Sequence, residues 1–194
     1  MAQLSLMVTS TRLNMSCCKE NNNKTIRQIT LAAMLVTILY VQELILSGLP
    51  GIQLTVVLIM VYSAALPLGM SLSIVSAYVF LDNLLYGSFS ILYTPGMFIA
   101  WITLLLVSKA LANKKFVWTL AFATVFGLIY GWFYIPGKFI EQGIFDLWAY
   151  LIADLIPFGI ILIINNFITV LLMYRYLRKL LESLSRSQLI TDID

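Results

Sequence analysis

Six apolar segments follow one another along the chain, at 26–46, 52–66, 68–86, 93–111, 116–135 and 147–176, with only short polar breaks between them. A helix that crosses bilayer hydrocarbon needs about 20 such residues, and a chain built this way has too little polar sequence left for a soluble domain. The residues are 61% hydrophobic and 11% charged, and the mean hydropathy is +0.94, well outside the range of soluble globular domains. The sequence therefore predicts an all-α integral membrane protein of six transmembrane helices. "ALPLG" at 65–69 is a tight Pro/Gly turn that separates the second span from the third. The expected organisation is a disordered cytoplasmic tail over 1–23, a six-helix membrane domain over 24–181 and a second cytoplasmic tail over 182–194. Cys17 and Cys18 are adjacent and cannot form an ordinary structural disulfide with each other, which leaves an incidental pair or a lipidation site.

Lysine and arginine set the expected orientation. Lys19, Lys24 and Arg27 precede the first span, Lys109, Lys114 and Lys115 join spans four and five, and Arg175, Arg178, Lys179 and Arg186 follow the sixth. An even number of spans puts all three clusters on one side, and the positive-inside rule makes that side the cytoplasm, with both termini there. The other face then carries Glu43, Asp82, Glu141, Asp146 and Asp154 against Lys138.

Three of those acids, Glu43, Asp82 and Asp154, fall at the outer ends of three different helices. Each alone could sit solvated at headgroup depth, but an ionisable group below the interface has to face protein or water. Their neighbours are amides and aromatics. Gln42 adjoins Glu43, and Asn83 and Tyr86 adjoin Asp82. Tyr93 opens the fourth span, Tyr130 and Tyr134 close the fifth, Lys138 follows, and Trp148 precedes Asp154. An interfacial aromatic belt accounts for part of this set. Stacking surfaces with a few polar groups are also what a small heterocyclic ligand requires of a concave site. The loops on that face, "SGLPGIQ", "GSFSILYTPG" and "IPGKFIEQGIFD", read as turns, and the apolar residues of the third read as a cap. Asn165 and Asn166 lie about 16 Å deeper at 1.5 Å per residue and read as interhelical hydrogen-bonding groups.

Catalytic signatures are missing. The sequence contains no Walker loop, no His-Glu-x-x-His helix and no Gly-x-Ser-x-Gly elbow, and it has no histidine to complete a triad. No enzyme activity and no cofactor or metal are expected. Six short spans without a repeat of interrupted helices also read poorly as a self-powered transporter.

Over roughly 24–181 the chain resembles the substrate-binding S components of energy-coupling factor (ECF) transporters, in topology, in the short turn between helices two and three and in the aromatic, polar outer loops. The resemblance implies a vitamin-binding subunit of an ABC-type importer in a bacterial plasma membrane, with the vitamin bound at the extracellular side. It implies partners as well: a transmembrane coupling subunit, two ATPase subunits and membrane lipid, but no nucleic acid. The family often carries an Ala-x-x-x-Ala pattern for docking in its first helix; here "LAAMLVTI" offers Ala32, Ala33 and Thr37, of which Ala33 and Thr37 form a small-xxx-small pair. "IQLT" at 52–55 and "LDN" at 81–83 resemble a cobalamin-type binder, while pyridoxine-, pyrimidine- and pantothenate-type ligands stay open. The acids and aromatics suit a neutral or cationic ring. A second resemblance, to the six-helix cell-shape protein MreD, implies a structural membrane protein that acts only through partners.

Overall fold

Leu66 and Pro67 decide where the most buried helix stops. The residue before a proline is driven into extended backbone, and Leu66, at φ −110° and ψ 159°, ends helix α2 (Thr55–Ala65) before α3 (Leu68–Leu85) begins. Lys109 Nζ donates to the carbonyl of Leu66 at 2.6 Å, and Ser71 Oγ to that of Tyr62 at 3.0 Å. Two carbonyls at the end of α2 are thus satisfied from neighbouring helices.

The computed structural model describes residues 25–49, 51–85 and 90–190, with the backbone alone for 142–147, 153–155 and 186–190. Among the described residues all regular structure is helical. The remaining elements are α1 (Thr25–Leu46), α4 (Thr94–Leu111), α5 (Phe116–Ile129), α6 (Ile135–Ala149) and α7 (Ile156–Ile190). A 3₁₀ segment, Tyr130–Tyr134, joins α5 to α6, and a π-helical segment, Tyr150–Leu155, joins α6 to α7. Among the described residues five stretches are long and apolar enough to cross a membrane: Thr25–Leu46, Leu68–Leu85, Thr94–Leu111, Phe116–Glu141 and Tyr150–Ser185.

The expected second span is the exception. At 11 residues, α2 is about 17 Å long at 1.5 Å per residue, well short of a hydrocarbon core of about 30 Å. Thr55 to Ser63 are all buried, and α2 packs against α3, α4 and α7. A helix enclosed on every side is apolar all round, as a lipid-facing one is, so hydropathy assigns both to the membrane. The expected cap loop at 135–146 is also helical, as part of α6. Pro136 lies in the first turn of α6, where a proline is tolerated, and the 3₁₀ turn before it closes through Ile135 N–H to Trp132 O.

The chain divides into two units, Met1–Leu35 and Val36–Asp194. The described part of the first is helical, with Thr30 Oγ1 bonded to Ile26 O at 2.9 Å. The second holds α2 to α7. Its tightest helix pair is α5 on α7: a side chain at Gly127 would come within 2.8 Å of the backbone of Leu162 and Ile163. Asn166 Nδ2 bonds Ala123 O across the same pair at 3.1 Å, and Asn165 Nδ2 ties Gln53 O to α7 at 2.7 Å. Gly51, at φ +78°, makes the turn before α2 and presses on Ile161.

Of the expected tails, 1–23 and Cys17 and Cys18 lie outside the described residues, whereas 182–190 continues α7. Two of the three basic clusters share one end of the second unit: Arg178 Nη1 donates to Ala112 O at 2.9 Å, and Lys114, Arg175 and Lys179 face the same depression.

Candidate functional site

The other end of the second unit is built around a carboxylate and a phenol. Glu43, three residues before the end of α1, accepts a hydrogen bond from the Tyr78 hydroxyl of α3. Asp82 is one turn further along α3, within electrostatic range of Glu43, Tyr78 and Tyr134. Its Oδ1 is buried with no hydrogen-bond partner among the described residues. A buried polar atom left unpaired is costly, so this oxygen marks a point where a donor would be welcome.

Aromatic rings line up beside the acids. Tyr78 meets Trp101 edge-on with ring centroids 6.2 Å apart, and Trp101 packs on Tyr130 at 5.0 Å. Tyr130 meets Tyr134 at 5.4 Å and Tyr134 meets Tyr93 at 6.4 Å. The hydroxyls of Tyr130 and Tyr134 are hydrogen-bonded at 2.8 Å. The ladder joins α3, α4 and the 3₁₀ segment, which carries both Tyr130 and Tyr134. Tyr93 donates to Glu141 of α6, and Lys138 Nζ lies 5.4 Å from the Tyr93 ring and 5.8 Å from that of Tyr150, the geometry of a cation–π contact.

Two clefts meet at this ladder. The larger, about 370 Å³, is lined by Gly127, Tyr130, Gly131, Tyr134, Tyr150, Phe158, Gly159 and Leu162. The smaller, about 230 Å³, takes in Glu43, Leu46, Ser47, Leu49, Gly51, Ile52 and Gln53. Tyr130 and Leu162 form the wall common to both.

The residues singled out from sequence divide accordingly. Glu43, Tyr130 and Tyr134 line the clefts; Asp82, Tyr93 and Lys138 line neither but are joined to them, Asp82 electrostatically to Glu43 and Tyr134, Tyr93 by its ring contact with Tyr134 and Lys138 by its position over Tyr93. Gln42 is adjacent but engaged: Nε2 donates to Leu39 O at 2.9 Å and Thr55 Oγ1 at 2.7 Å, while Oε1 accepts from Leu54 N at 2.9 Å. Asn83 is likewise engaged, its Nδ2 donating to Val79 O at 2.8 Å and its Oδ1 accepting from Thr94 Oγ1 at 2.8 Å. Both amides hold helices together instead of facing a cleft. Trp148 is 65% exposed and lines neither cleft. Tyr86 and the side chain of Asp154 lie outside the described residues. On α1, Ala33 and Thr37 are exposed and Ala32 is half-buried.

Sequence reasoning missed Tyr78 and Trp101 as parts of this ensemble. Tyr78 and Trp101 lie inside apolar runs with no polar neighbour to single them out. Among the described residues no three metal-ligating side chains come together. No family model matches this chain, and no curated protein or solved structure matches it.

Proposed function

We propose that this protein is a membrane-embedded binder of a small ring-shaped solute, acting as the substrate-binding subunit of an importer of the energy-coupling factor kind. In this reading the end that bears Lys114, Arg175 and Arg178 faces the cytoplasm of a bacterial cell, as the positive-inside rule favours. The Glu43–Tyr130 end faces outward. One observation supports the proposal: the Glu43 carboxylate lines one of two clefts that share the Tyr130 wall, and the hydrogen-bonded Tyr130–Tyr134 pair lines the other. Acids and aromatic faces together favour a neutral or cationic ring that donates hydrogen bonds.

Cleft size narrows the ligand class. About 370 Å³ is near the lower end of small-molecule sites, roughly 300–1,000 Å³. Such a cleft matches a one- or two-ring compound of the pyridoxine or pyrimidine type, whereas a corrinoid is several times larger. A pantothenate-type carboxylate would meet Glu43 and Asp82, with Lys138 as its single basic contact, so the charge balance is against it. Transport energy would come from separate ATPase subunits coupled through a membrane partner, and the exposed Ala33 and Thr37 of α1 offer a surface where another helix could approach closely.

The test is to purify the full chain from cells grown in rich medium and identify any retained small molecule by mass spectrometry. Retention of a ring compound that Glu43→Gln releases, together with co-purification of an ATPase pair, is the expected result. An empty protein that instead brings down cell-wall synthesis components would replace this reading with the MreD-like scaffold.

A further inference from the structure

The opposite end of the second unit holds a basin that solute binding does not use. Phe116 and Tyr130 are fourteen residues apart along α5, about 21 Å at 1.5 Å per residue. At the Phe116 end the α4–α5 turn, the start of α5 and the C-terminal part of α7 line a basin of about 310 Å³. Four cations, Lys114, Arg175, Arg178 and Lys179, face this basin against one carboxylate, Glu182.

The cations are not equivalent. Arg178 is committed, with Nε donating to Glu182 Oε1 at 2.7 Å and Nη1 to Ala112 O at 2.9 Å. Arg175 is held by its face: its guanidinium carbon is 4.3 Å from the centroid of Phe116, whose ring stacks on Tyr174. A guanidinium held this way keeps its in-plane N–H groups free for an acceptor with two oxygens. Among the described residues the side-chain ammonium groups of Lys114 and Lys179 have neither an ion-pair nor a hydrogen-bond partner. Three cations without a counter-charge around one basin repel one another, and a bound anion relieves that repulsion.

The basin's surroundings choose among anions. Val117 and Trp118 at the start of α5 are 69% and 64% exposed, and Leu172, just before Tyr174 on α7, is 70% exposed. This apolar surface leads away from the basin along the two helices, in the direction of the membrane interior. A soluble phosphate has no use for it, whereas an amphiphile does.

The geometry points to a binding site for an anionic phospholipid, with its phosphate among Lys114, Arg175 and Lys179 and its acyl chains against Val117, Trp118 and Leu172. The assignment is independent of which solute the other end takes. It is tested on the full chain in neutral detergent with an equimolar mixture of phosphatidylglycerol and phosphatidylcholine, the retained lipid being read by native mass spectrometry. The protein retains phosphatidylglycerol in preference. Arg175→Gln/Lys179→Gln lowers that preference roughly tenfold or more, since each interfacial cation contributes on the order of fivefold. Glu182→Gln raises it, an increase that loss of folding cannot imitate. Equal retention of the two lipids by the unaltered protein, or undiminished preference in the double variant, overturns the assignment. Release of the lipid by an equal concentration of inorganic phosphate overturns it too, by giving the basin to soluble phosphate.

Discussion

The Tyr78 hydroxyl donates a hydrogen bond to the Glu43 carboxylate and so fastens α3 to the end of α1. Tyr78 is fully buried, so removing its hydroxyl leaves the carboxylate short of a donor in a site poor in water. Tyr78→Phe should cost about 1–3 kcal/mol, the penalty for an unsatisfied buried group. Tyr78→Phe/Glu43→Leu should recover part of that loss, because both partners are then apolar. Thermal unfolding in detergent reads both variants. A double variant whose loss equals or exceeds the sum of the two single losses would show that the pair is not coupled in this way.

Gln42 serves helix α2 as an external cap. Leu54 precedes the first turn and caps α2 with no side-chain hydrogen bond of its own, and the Leu54 N–H is satisfied by Gln42 Oε1. Gln42→Ala strands that N–H and the Thr55 hydroxyl, at a cost of about 1–3 kcal/mol. Gln42→Glu keeps the acceptor but turns a carboxylate oxygen onto Leu39 O, so its loss is at least as large. The same unfolding measurement orders the three proteins, and equal stability of Gln42→Ala and the unaltered chain would remove the capping role.

Those two pairs also show what a sequence can and cannot disclose here. The apolar runs, the "ALPLG" turn and the meeting of Glu43, Asp82, Tyr93, Tyr130, Tyr134 and Lys138 are legible because polar residues at the ends of apolar helices have few places to go. The role of Gln42 is not legible. Its residue type says that hydrogen bonds will be made, but the Leu54 and Thr55 partners exist only once α1 and α2 are packed. Asn83 fails to read for the same reason, being used up by Val79 and Thr94. The burial of α2 is hidden differently, since lipid and protein interior select the same side chains. Pro136 misleads because a proline in a first helical turn and a proline in a loop look alike in sequence.

Close packing of α5 on α7 rests on Gly127. An added methyl would meet the backbone of Ile163 and Leu162 at 2.8 Å, and backbone cannot rotate out of the way as a side-chain tip can. Gly127→Ala should therefore destabilise by about 1–3 kcal/mol, the usual cost of overpacking, towards the upper end. Gly69, in the first turn of α3, has open space for 4 Å around the point where a methyl would stand, so Gly69→Ala should be neutral or stabilising by about 0.4–1 kcal/mol through the unfolded chain. Opposite signs in one melting experiment are the expected outcome. A tolerated Gly127→Ala would mean that the two helices are not in such close contact.

Trp101 offers an optical report on the proposed solute site. Its ring is buried and packs 5.0 Å from Tyr130, the residue common to both clefts, whereas Trp118, Trp132 and Trp148 are each more than half exposed. With those three replaced by phenylalanine, a ring compound stacking on the far side of Tyr130 should change Trp101 emission in a saturable way. A cationic ring should then bind about tenfold more weakly to Glu43→Gln, the equivalent of about 1.4 kcal/mol and within the range of one charge-assisted hydrogen bond. Because Tyr78 links Glu43 to Trp101, the thermal unfolding of the ligand-free variant is measured alongside, which separates loss of affinity from loss of structure. Saturable binding with equal affinity in both proteins would place the solute away from Glu43 and leave the Glu43–Tyr78 pair with a purely structural part.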